Sequence, residues 1–298
     1  MTGHGVEGRA VVVTGSGRGL GLSYARHLLA GGARVVLNDL DAEYVRAVAG
    51  ELDAGDAVAW CAGSVGDPRT ADALVETCLR RFGRIDGLVN NAGVRPEGLS
   101  WEEDPETTRR AVEVNLLGTL YCGAAALRVF QRQGSGSVVN VSSRAQTGVE
   151  QSATYAATKG AVASLTYSWA LDAPPGVRVN AIAPQARGTG TRRAGWVSRP
   201  EEPDPDDMAP LVTFLLSDAA RGVQGQVVRL IGTPDGLALG LVHHPRGGRL
   251  LADPRGWTVE RIAAAFDAEL GREQDPVGAL PRPVAYLRLD EEFLRVHQ

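Results

Sequence analysis

A tyrosine and a lysine four residues apart are the first residues in this chain whose types and spacing suit acid–base chemistry. On a helix, this spacing places the side chains of Tyr155 and Lys159 on one face, about one turn apart. Lys159 is the only lysine among the 31 Lys and Arg residues. A lysine ammonium can approach a phenol and a sugar hydroxyl together, whereas the arginine guanidinium is a planar fork. The pair is a candidate for proton transfer; the alternative is a tyrosine that precedes a surface lysine by one turn.

A glycine-rich segment, 14–21, follows the apolar run 10–13 and opens a helical pattern. Glycines let the backbone approach a pyrophosphate closely, and a helix N-terminus offers free N–H groups and the positive end of the helix dipole. Asp39 ends the second apolar run, where a carboxylate accepts hydrogen bonds from adenosine ribose hydroxyls; capping the next helix is its alternative role. These features predict a dinucleotide-binding unit.

Short apolar runs alternate with helical patterns over the first three quarters of the chain. Continuously apolar runs are typical of strands covered on both faces, and therefore of a parallel sheet with helices on either side. The predicted strands are 10–13, 34–38, 57–61, 86–90, 137–142, 177–182 and 226–231. The predicted helices are one ending near residue 30, then 42–52, 68–82, 105–133, 152–172 and 206–217. The fold class is therefore α/β, a Rossmann-type doubly wound parallel sheet of about seven strands.

This rhythm ends at residue 233. Pro and Gly punctuate residues 233–256, and one amphipathic helix follows Thr258. A segment of this length buries too little apolar surface to fold alone. We expect residues 233–298 to be a C-terminal extension packed on a dinucleotide-binding and catalytic domain of residues 1–232.

The composition narrows the class of protein. A net charge of −4 gives no reason to expect nucleic acid or an anionic membrane as a partner. The three cysteines have no metal-like spacing and are typical of a reducing compartment. No signal-peptide pattern and no apolar run of membrane-spanning length is present in the sequence. We expect a cytoplasmic protein without a metal.

The motifs agree, in order and spacing, with those of a known family. They are the loop 14–21, Asn90-Asn91-Ala92-Gly93, Asn115 within a helix, Tyr155 with Lys159, and 180–184. Over about residues 8–232 the sequence resembles the short-chain dehydrogenase/reductase family. The resemblance implies an NAD(P)-dependent oxidoreductase that interconverts a secondary alcohol and a ketone by hydride transfer. The alternative is a non-catalytic cofactor-binding sensor or scaffold on the same fold.

The resemblance also implies a role for each motif residue. Tyr155 acts as general acid and base, and Lys159 favours its phenolate and hydrogen-bonds the nicotinamide ribose. Asn115 orders a water that links Lys159 to solvent, and a serine hydroxyl holds the substrate oxygen. The implied catalytic residues are Asn115, Ser143, Tyr155 and Lys159. The implied cofactor-binding residues are Gly15, Ser16, Arg18, Gly19, Leu20, Gly21, Asp39, Asn91, Ala92, Gly93, Tyr155, Lys159, Pro184 and Thr189.

The chain departs from the family pattern at two places, the position of the catalytic serine and the residue after Pro184. The family's usual interval of thirteen residues between the serine and the tyrosine gives Ser142. Aligning the strand that ends at Val141 with the family's strand pattern gives Ser143 instead. A loop can lose a residue more easily than a buried strand, so we choose Ser143 and keep Ser142 as the alternative. Gln185 stands where the family usually has glycine.

Charged residues near the predicted site indicate which cofactor and which kind of substrate to expect. Asp39 repels the 2′-phosphate of NADP, whereas Arg18 can swing into solvent at little cost, so NAD is expected and NADP is the alternative. The segment 185–203 carries four arginines, which could grip an anionic, acyl-thioester-linked substrate; a solvated loop neutralised by the acids after it is the simpler interpretation. The small apolar residues of helices 105–133 and 152–172 lie where the family packs subunits together. We therefore expect a homotetramer or homodimer acting on a small-molecule carbonyl or alcohol.

Overall fold

A single eight-stranded sheet organises the part of the chain that the structure describes. This structure, a computed structural model, describes residues 5–187, 202–233 and 236–242. The strands are β1 (Ala10–Val13), β2 (Arg34–Leu37), β3 (Val58–Trp60), β4 (Gly87–Asn90), β5 (Gly136–Val141), β6 (Val177–Ile182), β7 (Val227–Thr233) and β8 (Gly236–Val242). Their order is β3-β2-β1-β4-β5-β6-β7-β8. Neighbouring strands are parallel from β3 through to β7, and β8 is antiparallel to β7.

The helices connect the strands and begin and end at conventional signals. They are α1 (Gly19–Ala30), α2 (Ala42–Glu51), α3 (Pro68–Phe82), α4 (Pro105–Ala111), α5 (Gly118–Gln133), α6 (Ala153–Asp172) and α7 (Pro205–Leu216). In α3, for example, the Asp67 side chain accepts a hydrogen bond from the backbone N–H of Arg69, and Pro68 occupies the first turn. Gly83 then ends the helix at a φ of 77°, a left-handed conformation that glycine adopts without strain.

The two largest apolar cores lie on opposite faces of the sheet. One packs α1, α2 and α7 against the strands, with Leu28, Val45 and Leu215 buried. The other packs α3 and α5 on the opposite face, with Leu74 and Phe130 buried and the end of α6 at its margin. The predicted doubly wound α/β architecture is therefore confirmed, since strands covered on both faces are the reason for the continuously apolar runs.

Two features differ from the sequence-based expectation. The segment 236–242 forms β8, an edge strand whose leucines lie largely in solvent, although no strand was predicted there. The predicted helix 105–133 is interrupted by a π-helical segment, Val112–Leu117. The predicted helix after Thr258 lies outside the described residues, and within the described ranges no helix is long and apolar enough to cross a membrane.

The sheet topology determines where a ligand can bind. From β1 the chain passes to β2 and β3 on one side of the sheet, and from β3 it crosses over to β4 on the other side of β1. In sheets of this kind a crevice opens beyond the carboxyl ends of the strands at this point. The residues that follow β1, β2, β4, β5 and β6 all belong to this edge.

Candidate active site

The loop between β1 and α1 packs so closely at Gly15 and Gly21 that a side chain would not fit there. A Cβ added to Gly21 would lie 2.2 Å from the Gly15 carbonyl oxygen, and one added to Gly15, whose φ is +60°, would lie 2.8 Å from the Ala92 Cα. The N-terminal turn of α1 has no side-chain cap at Arg18 and contains no acidic residue. N–H groups without a side-chain cap at a helix N-terminus suit the pyrophosphate of a dinucleotide.

Asp39 lies against this loop. Its Oδ2 accepts a hydrogen bond of 3.1 Å from the Gly17 N–H, and a Cβ on Gly17 would meet that oxygen at 2.5 Å. Ser16 is buried, and its N–H donates to the Asn38 carbonyl. The carboxylate is thus held at the end of β2, beside the glycine loop, as the sequence predicts. Arg18 is exposed, Gly19 adopts a positive φ, and Leu20 is half-buried in α1.

The segment after β4 ties the glycine loop to the sheet. The Asn91 side-chain amide donates to the carbonyl oxygens of Thr14 and Gly15, both at 2.9 Å. The N–H groups of Asn91 and Ala92 donate to the Thr14 hydroxyl at 3.0 and 3.1 Å. In this structure Asn91 therefore shapes the loop through its own hydrogen bonds.

Tyr155 and Ser143 meet at the same edge. Tyr155 lies in the first turn of α6, and Ser143 follows β5 at the start of a short 3₁₀ turn. Burial raises the pKa of Tyr155, and a hydrogen bond from the Ser143 side chain and the positive charge of Arg95 lower it. The net direction is upward, so the phenol is the stable form at neutral pH and can donate a proton.

Ser142 faces elsewhere. Its hydroxyl is buried and lies 2.7 Å from Gln146 Oε1 and 2.9 Å from the Lys159 carbonyl oxygen. Adjacent residues of an extended strand point to opposite sides, so one serine faces α6 and the other faces the crevice. The geometry therefore favours Ser143 as the partner of Tyr155.

Lys159 is a buried cation. Its Nζ donates to the Val141 carbonyl oxygen at 2.7 Å and lies 5.8 Å from the centre of the Tyr155 ring. Burial lowers its pKa to about 8. The resemblance assigns the lowering of the Tyr155 pKa to Lys159, but in this structure the lowering comes from Ser143 and Arg95.

Asn115 lies in the π-helical segment and is fully buried. Its Oδ1 accepts from the Val94 N–H, and its Nδ2 donates to the Val94 carbonyl oxygen, both at 2.8 Å. Nδ2 also lies 3.0 Å from the Thr158 hydroxyl, next to Lys159. A Cβ added to Gly93 would lie 3.3 Å from Asn115 Oδ1 and 3.6 Å from Lys159 Nζ. The π segment, a common feature of functional sites, thus joins the 90–93 motif to the catalytic helix.

Sequence reasoning did not single out Arg95. Its guanidinium carbon lies 5.4 Å from the centre of the Tyr155 ring. Glu103 was missed as well; its carboxylate accepts from the Thr154 hydroxyl and, at 3.2 Å, from the Thr154 N–H at the start of α6. Both residues contact the site through tertiary packing, which a local sequence pattern does not show. The only signal in the sequence was the position of Arg95, a charged residue two positions after the 90–93 motif.

The remaining predicted residues follow β6. Pro184 and Gln185 are half-buried there. Arg187 is exposed and pairs with Asp204, with Nη2 to Oδ2 at 2.6 Å, as expected for a self-neutralising loop. Thr189 and the other arginines of the 185–203 segment lie outside the described residues.

The fold and the site together define a dinucleotide-binding oxidoreductase, and comparisons with known proteins agree. The sequence profile described as "short chain dehydrogenase" matches residues 9–196. Cis-4-hydroxycyclohexanecarboxylate dehydrogenase of Sinomonas cyclohexanicum is 39% identical over 75% of this chain and 95% of its own length.

Two solved structures are similar as well. A short chain dehydrogenase from Mycobacterium avium has a TM-score of 0.79 at 29% identity, over 92% of this chain and 98% of that one. A gluconate 5-dehydrogenase from Burkholderia cenocepacia, solved with NADP and tartrate, has a TM-score of 0.72 at 31% identity, over 77% of this chain and 96% of that one.

The chain belongs to the short-chain dehydrogenase family. It is an NAD(P)-dependent oxidoreductase that acts on CH–OH groups and interconverts an alcohol and a carbonyl compound. The expectation of an enzyme, rather than a non-catalytic sensor, is confirmed.

Proposed function

We propose that the protein is an NAD-preferring dehydrogenase of small secondary alcohols whose proton transfer is carried by Tyr155. The observation that carries this proposal is the hydrogen bond between Ser143 and Tyr155, with the buried Lys159 Nζ 5.8 Å from the centre of the tyrosine ring, at the carboxyl edge of the sheet. The Tyr155 phenol provides a proton donor, and the Ser143 hydroxyl provides a group that binds the substrate oxygen. The buried Lys159 ammonium is a cation on the same helix.

Each residue has one task in this mechanism. Ser143 holds the substrate oxygen, and Tyr155 removes the alcohol proton in oxidation or returns it in reduction. Because burial raises the pKa of Tyr155, the nearby positive charges are needed before it can act as a base. Asn115 holds the backbone at Val94 and the Thr158 hydroxyl, and so keeps the lysine and tyrosine in register. With a dinucleotide bound, Lys159 would hydrogen-bond the nicotinamide ribose, as the family resemblance implies, and an ordered water near Asn115 would connect the lysine to solvent.

The nicotinamide cofactor supplies the hydride acceptor or donor. The open N-terminus of α1, Gly15 and Gly21 would hold its pyrophosphate, and Asp39 would hold the adenosine ribose. We propose NAD because a carboxylate beside the loop repels a 2′-phosphate, whereas the exposed Arg18 is free to leave. The gluconate 5-dehydrogenase was solved with NADP, so NADP is the alternative cofactor.

The substrate is a small molecule, and we propose a cyclic or short-chain secondary alcohol. Support comes from the relative that is named for a hydroxylated cyclohexanecarboxylate. An acyl-thioester-linked substrate is less favoured because Arg187 already pairs with Asp204. We further propose a cytoplasmic location, since Cys61, Cys78 and Cys122 are free thiols, and a homo-oligomer that packs through α5 and α6.

Steady-state assays on secondary alcohols and ketones test this proposal. The panel includes cis-4-hydroxycyclohexanecarboxylate, and NADH absorbance is recorded for the unmodified protein and for Tyr155→Phe. We expect turnover that Tyr155→Phe abolishes while NADH binding, measured by fluorescence, is retained. Turnover that survives in Tyr155→Phe would remove the proton-transfer role.

A further inference from the structure

A second cation lies beside the proposed catalytic tyrosine. Arg95 follows the 90–93 motif, and its guanidinium carbon lies 5.4 Å from the centre of the Tyr155 ring. Its side chain is 28% exposed, so the guanidinium is partly withdrawn from water yet open on one side. Arg95 does not belong to any of the family motifs, so the motifs assign no role to its charge.

Arg95 is held in place by groups that leave part of its fork open. Nε and Nη2 lie 3.3 and 3.2 Å from the hydroxyl of Ser152, a buried residue directly before α6. Nε lies 3.4 Å from Glu97 Oε1, a long ion pair. Among the described residues, none accepts a hydrogen bond from Nη1. The guanidinium is thus oriented in advance and still has a free donor.

We propose that Arg95 determines substrate specificity by binding the carboxylate of a small hydroxy acid. This inference rests on the proposed function and names the substrate class for the same site. The guanidinium lies over the ring whose hydroxyl handles the alcohol. A molecule in which one small ring or a few carbons separate the carboxylate from the alcohol carbon therefore reaches both groups. A planar guanidinium is the side chain that best matches a carboxylate, and partial burial strengthens the interaction.

Two other roles for Arg95 predict different results. If its charge serves only to lower the pKa of Tyr155, its loss weakens acid–base chemistry without discriminating between charged and neutral ligands. If it serves only to hold the loop 94–98 against Ser152, its loss lowers stability. A comparison of charged and neutral ligands therefore distinguishes carboxylate binding by Arg95 from both of these other roles.

The test is a binding measurement that needs no turnover. Cyclohexanecarboxylate and its neutral counterpart cyclohexanecarboxamide are titrated into the protein–NADH complex, and the fluorescence of bound NADH is followed. The proteins are the unmodified chain, Arg95→Gln, Arg95→Lys and the control Arg81→Gln. Arg81 lies at the end of α3, and its one ion pair among the described residues is with the exposed Asp56, at 3.4 Å.

We expect the unmodified protein to bind the carboxylate more tightly than the carboxamide. Arg95→Gln should weaken carboxylate binding by about 10- to 100-fold and leave the carboxamide unchanged, because one charge-assisted contact is lost. Arg95→Lys should recover part of the affinity, and Arg81→Gln should match the unmodified protein. Equal binding of the two ligands by the unmodified protein, or unchanged carboxylate binding in Arg95→Gln, would overturn the proposal. Failure of the proposed function appears separately, as carboxylate binding without turnover.

Discussion

Replacing Lys159 with methionine should change how the stability of this protein depends on pH. Burial lowers the pKa of Lys159 from its ordinary value of 10.5 to about 8. Below the folded-state pKa, the lysine is protonated in both the folded and the unfolded chain, and the folded protein bears the full cost of the buried charge. As the pH rises, the folded state loses the proton first, so this cost shrinks and disappears above the unfolded-state pKa.

The size of the effect follows from the two pKa values. A difference of this size between folded and unfolded states corresponds to about 3 kcal/mol of destabilisation at neutral pH. Between about pH 7 and about pH 9, roughly 1 kcal/mol of that cost should be recovered. The free energy of unfolding of the unmodified protein should therefore rise by this amount relative to Lys159→Met, which has nothing to titrate.

Urea unfolding at matched protein concentrations measures this difference. Curves are recorded at three pH values across that range for the unmodified protein, Lys159→Met and the exposed control Arg128→Met. Arg128 lies on the surface of α5 and pairs with Asp72, so its replacement should run parallel to the unmodified protein. If the difference in unfolding free energy between the unmodified protein and Lys159→Met is also constant with pH, burial of the Lys159 ammonium does not destabilise the folded state and the reasoning is wrong.

Four further substitutions test the geometry of the site. Ser143→Ala should lower kcat/KM by about 100-fold or more with little loss of stability. Ser142→Ala should keep most activity and lose about 1–3 kcal/mol of unfolding free energy, because the buried hydrogen bonds of Ser142 are structural. The reverse pattern in the two variants would exchange the roles of the two serines. Asp39→Ala should raise kcat/KM with NADP relative to NAD, and the assignment fails if the unmodified protein already prefers NADP. Gly21→Ala should abolish NADH binding, measured by fluorescence, because its Cβ would lie 2.2 Å from the Gly15 carbonyl oxygen and would displace the loop. Normal binding would show that NADH binding does not depend on the conformation of this loop.

Most of the sheet could be predicted because its strands are buried on both faces. Val11, Val12 and Val13 are all fully buried, and such a continuous run has few alternatives in a chain of this length. The edge strand β8 could not be predicted in this way. Leu237, Leu239 and Leu241 alternate with small residues in a Gly-punctuated segment, and their side chains are exposed, so the usual link between apolar residues and burial does not hold.

The predicted site residues that the structure describes lie at one edge, but their partners depend on tertiary packing. The spacing of Tyr155 and Lys159 predicts a shared helix face, and the structure has both in α6. The spacing could not show that Lys159 Nζ donates to the Val141 carbonyl oxygen, or that Arg95 lies over the tyrosine ring. Those contacts join residues far apart in the chain, where local periodicity carries no information.

The most direct test of the central claim follows the hydrogen itself. A secondary alcohol that the protein turns over is labelled with deuterium at the carbinol carbon and incubated with NAD, and the reduced dinucleotide is analysed by mass spectrometry. The account predicts deuterated NADH from the unmodified protein and none from Tyr155→Phe, although that variant still binds the dinucleotide. Unlabelled NADH from the unmodified protein, or full transfer in Tyr155→Phe, would contradict it.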